Sequence, residues 1–215
     1  MGNLLTLLSL RKELISEFKE TCKLLEFKRS WRRENVHNNT FPINRFPKKN
    51  VCVGNYSYGG LRVISFGNPN EYLSIGNYCS IASDVVFLLG GEHDYKRLST
   101  FPVWEQVLGK EPFEYTPTNG PIIIEDDVWI GYGAIVLSGT HVERGSVIGA
   151  GSVVRGRVPA YSVYIGNEVK KSRFAKESIS QIKDLDLDEL FHRDIREIEG
   201  ILKKPLNEAS LDDIL

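Results

Sequence analysis

Four histidines supply all the imidazoles of this 215-residue chain: His37, His93, His141 and His192. His93 stands apart because of its surroundings, Leu88-Leu89-Gly90-Gly91-Glu92-His93-Asp94. Two glycines permit an unusual backbone there, and the ring is presented where an apolar run ends. Imidazole is the side chain suited to take a hydroxyl or amine proton near neutral pH, as attack on an acyl thioester requires. An ordinary surface histidine is the alternative at this position. His141 is expected on an outer wall and His192 on a terminal helix, both without chemistry. Cys22, Cys52 and Cys79 are odd in number and lack metal-type spacing. They predict reduced thiols, no metal and a cytoplasmic setting.

The element that must position His93 is announced by a six-residue period between Ile124 and Pro159. Ile or Val opens each step: Ile124, Ile130, Val136, Val142, Ile148 and Val154. The fifth place is small or β-branched, which fits where the wall turns: Val128, Ala134, Thr140, Ser146, Ser152 and Val158. Neither a helix nor a flat alternating strand has this period, whereas a hexapeptide β-helix does. Three steps make one coil of a triangular prism, so Ile124 should lie over Val142, Ile130 over Ile148 and Val136 over Val154. The period recurs at Ile75–Val86, with an echo at Val53–Ser57. An excursion from about 90 to 121 interrupts it, and interruptions of that length in a regular scaffold are usually functional.

These patterns divide the chain into an N-terminal segment 1–50, a β-helix 51–170 carrying the excursion 90–121, and a C-terminal helical segment 171–215. Leu7, Leu10, Leu14, Phe18, Cys22 and Leu25 keep helical spacing, which predicts one amphipathic helix to about residue 29. The apolar run at its start is too short to span a bilayer, and no signal-peptide cleavage site follows. Lys28-Arg29-Ser30-Trp31-Arg32-Arg33 then reads as a solvated basic turn or, through Arg32 and Arg33, as a peripheral membrane contact. Arg173 through Gly200 predicts a second helix, stopped by Gly200 and Pro205. The formal net charge of −1 gives no reason to expect nucleic acid.

The stretch from Glu71 to Ala175 resembles the xenobiotic and polysaccharide acetyltransferases of the left-handed β-helix superfamily. The residues that carry the resemblance are Ile75-Gly-Asn-Tyr-Cys-Ser-Ile81, Gly91-Glu-His93, Ser99-Thr-Phe-Pro102, Asp127-Val-Trp-Ile-Gly131 and Ile148-Gly-Ala-Gly-Ser-Val153. It implies a left-handed parallel β-helix, a homotrimer with sites between subunits, acetyl-CoA as co-substrate, and His93 as general base. Glu92 or Asp94 is a candidate to orient the imidazole. Coenzyme A would run along a prism edge at Gly131, Tyr132 and Ala150, with Lys170, Lys171 and Arg173 toward its phosphates. Trp129 is either part of that contact or an edge packing residue. The family's usual Gly-Asn-Pro-Ala-Lys is here Gly166-Asn167-Glu168-Val169-Lys170, which replaces a proline and introduces a carboxylate.

The acceptor implied is a small or lipid-linked sugar of a bacterial surface polysaccharide, giving an O-acetyl ester. Tyr95, Phe101, Trp104, Phe113 and Tyr115 offer either a stacking wall for it or a packing surface. A streptogramin or chloramphenicol hydroxyl is the alternative acceptor, and a silent β-helix scaffold the alternative from another class. A γ-type carbonic anhydrase shares the prism but needs three zinc-ligating histidines, which this chain does not offer.

Overall fold

The computed structural model describes residues 2–93, 95–110, 116–193, 195–203 and 206. Asp94, Phe113, Tyr115 and Pro205, to which roles are assigned above, lie outside the described residues. The chain forms two compact units, Met1–Lys171 and Ser172–Leu215.

The first unit is mainly β. After α1 (Gly2–Glu34) and β1 (Asn39–Pro42), the chain winds in coils of short strands. The first coil is β2 (Val51–Val53) and β3 (Tyr58–Ile64), and the second is β4 (Leu73–Ile75), β5 (Ser80–Ile81) and β6 (Val86–Leu88). A short helix α2 (Val103–Gln106) precedes the third, β7 (Ile122–Ile124), β8 (Trp129–Ile130) and β9 (Ile135–Leu137). The fourth is β10 (His141–Val142), β11 (Val147–Ile148) and β12 (Val153–Val154), and β13 (Arg157–Val158), β14 (Ser162–Ile165) and β15 (Glu168–Ser172) finish the stack.

Every pairing between coils is parallel and in register. Val53, Ile75, Ile124, Val142 and Val158 follow one another up the first wall. Ile81, Ile130, Ile148 and Tyr164 do so on the second, and Val63, Phe87, Val136 and Val154 on the third. All these side chains are buried, each contributing about 1.5–3 kcal/mol from burial. The three stacking pairs expected from the period are all present, in a parallel architecture that fits a left-handed β-helix with helices at both ends of the chain.

The small fifth-place residues earn their identity at the corners. Thr140 Oγ1 donates to the Val154 carbonyl (3.1 Å), Ser146 Oγ donates to that of Pro159 (2.8 Å), and Ser152 Oγ accepts from Gly166 N–H (3.1 Å). A compact hydroxyl thus satisfies backbone groups that a buried turn would otherwise strand. Val158 departs from the sequence expectation. It pairs with Val142 in the aliphatic ladder rather than occupying a corner, because a turn through Gly156 (φ +68°) shortens that coil and shifts its phase.

Two helical boundaries also differ. α1 continues to Glu34, so Lys28–Arg33 is helix rather than turn. Trp31 is the reason: it is buried, donates through Nε1 to Thr40 Oγ1 (3.2 Å), and meets the Phe46 ring edge-on at 5.4 Å. Ser30 also bonds Glu34, which pairs with Lys48. In the second unit the expected single helix is three: α3 (Lys176–Ile182), α4 (Leu187–Phe191) and α5 (Ile195–Leu202). Asp186 starts α4 afresh by accepting from the N–H groups of Asp188 and Glu189, an N-cap that breaks the preceding run.

The cysteines are free. Cys52 is exposed, whereas burial pushes the Cys79 thiol up to about 12. The thiolate is the reactive form, so an aromatic disulfide reagent at pH 8 is expected to label Cys52 and leave Cys79 untouched until denaturant is added. Equal labelling rates in the native protein would contradict the packing of that corner.

Candidate active site

His93 leaves the prism at the edge between the third and first walls, after β6. Its ring is exposed, and its Nδ1 lies 2.9 Å from the carbonyl oxygen of Thr100. A carbonyl can only accept, so Nδ1 carries the proton of the neutral ring. Nε2 is then the nitrogen left with a lone pair, in a ring oriented by a partner seven residues downstream. The orienting group is therefore Thr100 rather than Glu92.

Glu92 faces the other way. Its Oε1 accepts from Ser138 Oγ (2.5 Å) and from Asn119 Nδ2 (2.9 Å), while Oε2 is buried with no partner among the described residues. Asn119 N–H in turn donates to Ser138 Oγ (3.1 Å). The outgoing leg of the excursion is thereby tied to its returning leg and to the next coil. Thr118 Oγ1 adds a bond to the Leu89 carbonyl (2.5 Å), and Asn68 Nδ2 one to that of Thr116 (2.9 Å).

A second carboxylate supports the same edge from below. Glu71 is 2% exposed and accepts from Ser65 Oγ and from the N–H groups of Phe66 and Gly67. This ties down the connection from β3 to β4 and sets the Phe66 ring beneath Gly91. Gly91 has φ +97°, and a Cβ there would lie 2.6 Å from Phe66 Cζ. The positive φ calls for glycine, and a Cβ would also push the exposed Phe66 ring aside.

The residues expected to meet coenzyme A do not all converge. Trp129, Gly131, Tyr132 and Ala150 share the edge between the second and third walls, a different edge from that of His93. Trp129 and Tyr132 present exposed rings there, 56% and 60% accessible. The phenol of Tyr132 bonds Asp84, which raises it above the ordinary tyrosine range. The backbone here is engaged between coils: Gly131 N–H donates to Ile148 O (2.8 Å), and Tyr132 O accepts from Gly151 N–H (2.8 Å). The close approach of consecutive coils explains this, since a Cβ on Gly131 would sit 2.6 Å from Ala150 N. The rings, rather than the Gly131 amide, are what this edge offers a ligand.

Lys170 is engaged by Glu168 (2.5 Å), and that hydrogen bond holds the Glu168 carboxyl below its ordinary range. Arg173 belongs to the second unit, with its guanidinium over the Phe174 ring at 4.8 Å. Of the excursion's aromatics, Tyr95 and Phe101 are exposed, while Trp104 has Lys110 Nζ over its face at 4.3 Å. Among the described residues no cluster of His, Cys, Asp and Glu could hold a metal ion.

Residues 121–155 match the family model described as hexapeptide repeat of succinyl-transferase. A chloramphenicol acetyltransferase of Escherichia coli is 32% identical over 155 residues, 63% of this chain and 74% of that protein. The chain belongs to the hexapeptide-repeat acetyltransferases. As a member of that family it is an acyltransferase with acetyl-CoA as co-substrate. A probable macrolide acetyltransferase of Lysinibacillus sphaericus is 33% identical over 154 residues, 67% of this chain and 83% of that one. A solved hexapeptide-repeat acetyltransferase from Vibrio cholerae aligns with a TM-score of 0.45 at 26% identity, over 59% of this chain and 65% of its own.

Gly91→Ala is the sharpest probe of how the histidine is held in this acetyltransferase. Strain at a positive φ costs of order 1–3 kcal/mol, and the clash with Phe66 adds to it. Thermal denaturation should show a clearly lowered Tm, with turnover falling further than the unfolded fraction explains. An unchanged Tm would mean that Phe66 does not sit where Gly91 needs space.

Proposed function

We propose that this acetyltransferase transfers acetyl from acetyl-CoA to a sugar hydroxyl of a bacterial surface-polysaccharide precursor, with His93 as general base. The observation that carries this is the hydrogen bond from His93 Nδ1 to the Thr100 carbonyl, which leaves Nε2 to take a proton. As the acceptor oxygen bonds to the thioester carbonyl carbon, its proton passes to Nε2. The tetrahedral adduct collapses, the carbon–sulfur bond breaks, and the departing sulfur takes the proton back from imidazolium. Products are the O-acetyl ester and free coenzyme A, with the base regenerated.

The coils are read as left-handed, and the stretch 90–121 as an inserted loop that presents the base and receives the acceptor. Register supports the insertion: one circuit takes 18 residues from Ile124 to Val142 but 49 from Ile75 to Ile124. Exposed Tyr95 and Phe101 on that stretch suit the apolar face of a pyranose. The separate edges of His93 and of Trp129 and Tyr132 support a homotrimer in which neighbouring copies complete each site. A cytoplasmic acceptor, free or lipid-linked, fits three free thiols. For a lipid-linked one, Arg32 and Arg33 are the proposed membrane contact, although Arg32 already donates to the Asn38 carbonyl. No nucleic-acid partner is proposed.

A second acceptor, an antibiotic hydroxyl, is favoured by the chloramphenicol and macrolide acetyltransferases among the relatives. Acetyl-CoA consumption across nucleotide- and lipid-linked sugars, chloramphenicol and macrolides separates the two. His93→Ala should lower turnover about 10²–10⁴-fold while coenzyme A binding persists. Retained turnover would remove His93 from the chemistry. Glu168→Gln should free Lys170 for the coenzyme phosphates and lower the KM for acetyl-CoA by about 1.5- to 5-fold, the worth of one exposed ion pair. An unchanged KM would place Lys170 away from the nucleotide.

A further inference from the structure

α1 carries two apolar stripes. Leu24, Phe27 and Trp31 turn toward the chain's own prism, where Phe27 and Trp31 both meet Phe46 edge-on. Leu10, Leu14, Ile15, Phe18 and Leu25 fall on another side, within an arc of about 140° centred about 130° from the first. All five are exposed, Leu14 by 57% and Phe18 by 70%. Every residue from Leu10 to Thr21 is exposed as well, and Glu20, on the prism-facing side of the helix, pairs with Arg45 (3.1 Å). A contiguous apolar stripe of this kind marks an interaction surface.

The charges beside the stripe select its occupant. Lys12 and Lys19 line one flank, and Glu13 and Glu17 line the other. When two copies of such a helix pack in parallel, the basic flank of one meets the acidic flank of the next on both sides of the seam. An antiparallel pair would set like charges together. A lipid surface fits less well. Interfacial helices present a cationic polar face, whereas residues 10–21 balance Arg11, Lys12 and Lys19 against Glu13, Glu17 and Glu20. Arg11 and Thr21 fall within the apolar arc: the arginine stem can lie along the seam with the guanidinium at its rim, and the Thr21 hydroxyl is satisfied by the Glu17 carbonyl (2.9 Å).

We infer that α1 is a self-association element: its exposed stripe packs in parallel against α1 of further copies of this chain. Rotation about an axis that runs along the helices keeps them parallel, and the arc is broad enough for each helix to contact two neighbours. The inference rests on α1 alone and does not depend on which acceptor the enzyme uses, nor on where the acetyl group is transferred.

Disulfide trapping of the full chain tests it, with Cys22→Ser and Cys52→Ser removing the accessible native thiols. Phe18→Cys, at the centre of the arc, should form an intermolecular disulfide on mild oxidation, and Ser16→Cys on the polar side should not. Lys12→Glu with Lys19→Glu should cut the Phe18→Cys product about three- to tenfold, as expected for losing a few surface ion pairs. Adding Glu13→Lys and Glu17→Lys should restore it. Circular dichroism of each variant checks that the prism is intact. Failure of Phe18→Cys to cross-link, equal cross-linking of Ser16→Cys, or no restoration by the second pair overturns the proposal. So does co-flotation of the wild type, but not of Leu14→Glu/Phe18→Glu, with phosphatidylglycerol vesicles, which would assign the stripe to lipid.

Discussion

Each coil of this protein exists on the backbone hydrogen bonds of the coil beside it. The strands are two or three residues long in most places, far too short to persist alone. Parallel pairing in strict register supplies both the hydrogen bonds and the stacked aliphatic interior. The edge between the first and second walls shows how firmly that register is enforced. Tyr56, Tyr78, Asp127, Gly145 and Tyr161 occupy successive positions there, all with φ between +56° and +66°; Tyr56 donates its N–H to the His37 carbonyl and the other four donate theirs to the coil before. Four are not glycine, and a left-handed residue with a Cβ costs roughly 1–2 kcal/mol. The ladder hydrogen bonds and the buried interior outweigh that cost, repeated up the whole edge.

A scaffold held this way tolerates large departures at its corners. Thirty-odd residues can leave between β6 and β7 because Ile75 and Ile124 still pair as if adjacent. The departure still needs closing, and two carboxylates do it. Glu71 gathers three donors from the 65–67 connection, and Glu92 gathers Ser138 and Asn119 across the base of the excursion. Hydrogen bonds to a charged acceptor are about twice as strong as neutral ones. Losing a donor would also leave a poorly solvated carboxylate behind. The histidine inherits its position from these two groups, although neither touches its ring.

This explains what could be read from the sequence. The six-residue period was legible because inward residues must be aliphatic in every coil, so the constraint repeats in plain view. Val158 was misplaced because periodicity assumes constant coil length, and the short turn at Gly156 breaks that assumption only in three dimensions. His93, proposed as the base, stood out through its glycines and the family motif. Its partner Thr100 was not, since a backbone carbonyl leaves no signature in residue type. The Glu92 network was hidden for a related reason: its partners Asn119 and Ser138 are distant in the chain and ordinary in kind. The claim of the next coil on the Gly131 N–H was hidden too, because the close approach that demands glycine there is a matter of coil spacing. The C-terminal segment lacked any repeated constraint, and there local capping by Asp186 overrode a plausible helical pattern.

The remaining asymmetry lies in how the edges are furnished. One wall of about six residues, at ~3.3 Å per residue, separates neighbouring edges by roughly 15–20 Å. Reacting atoms must come within about 3–3.5 Å. With His93 proposed as base on one edge and the exposed rings proposed as coenzyme contacts on another, one copy brings the two together only if a long ligand bridges a whole wall. Packing the edges of two copies together removes that distance without deforming either prism, whose register admits no sliding. The rigidity that keeps the two edges apart in one chain therefore supports the proposed assembly of copies over internal motion as the way to complete a site.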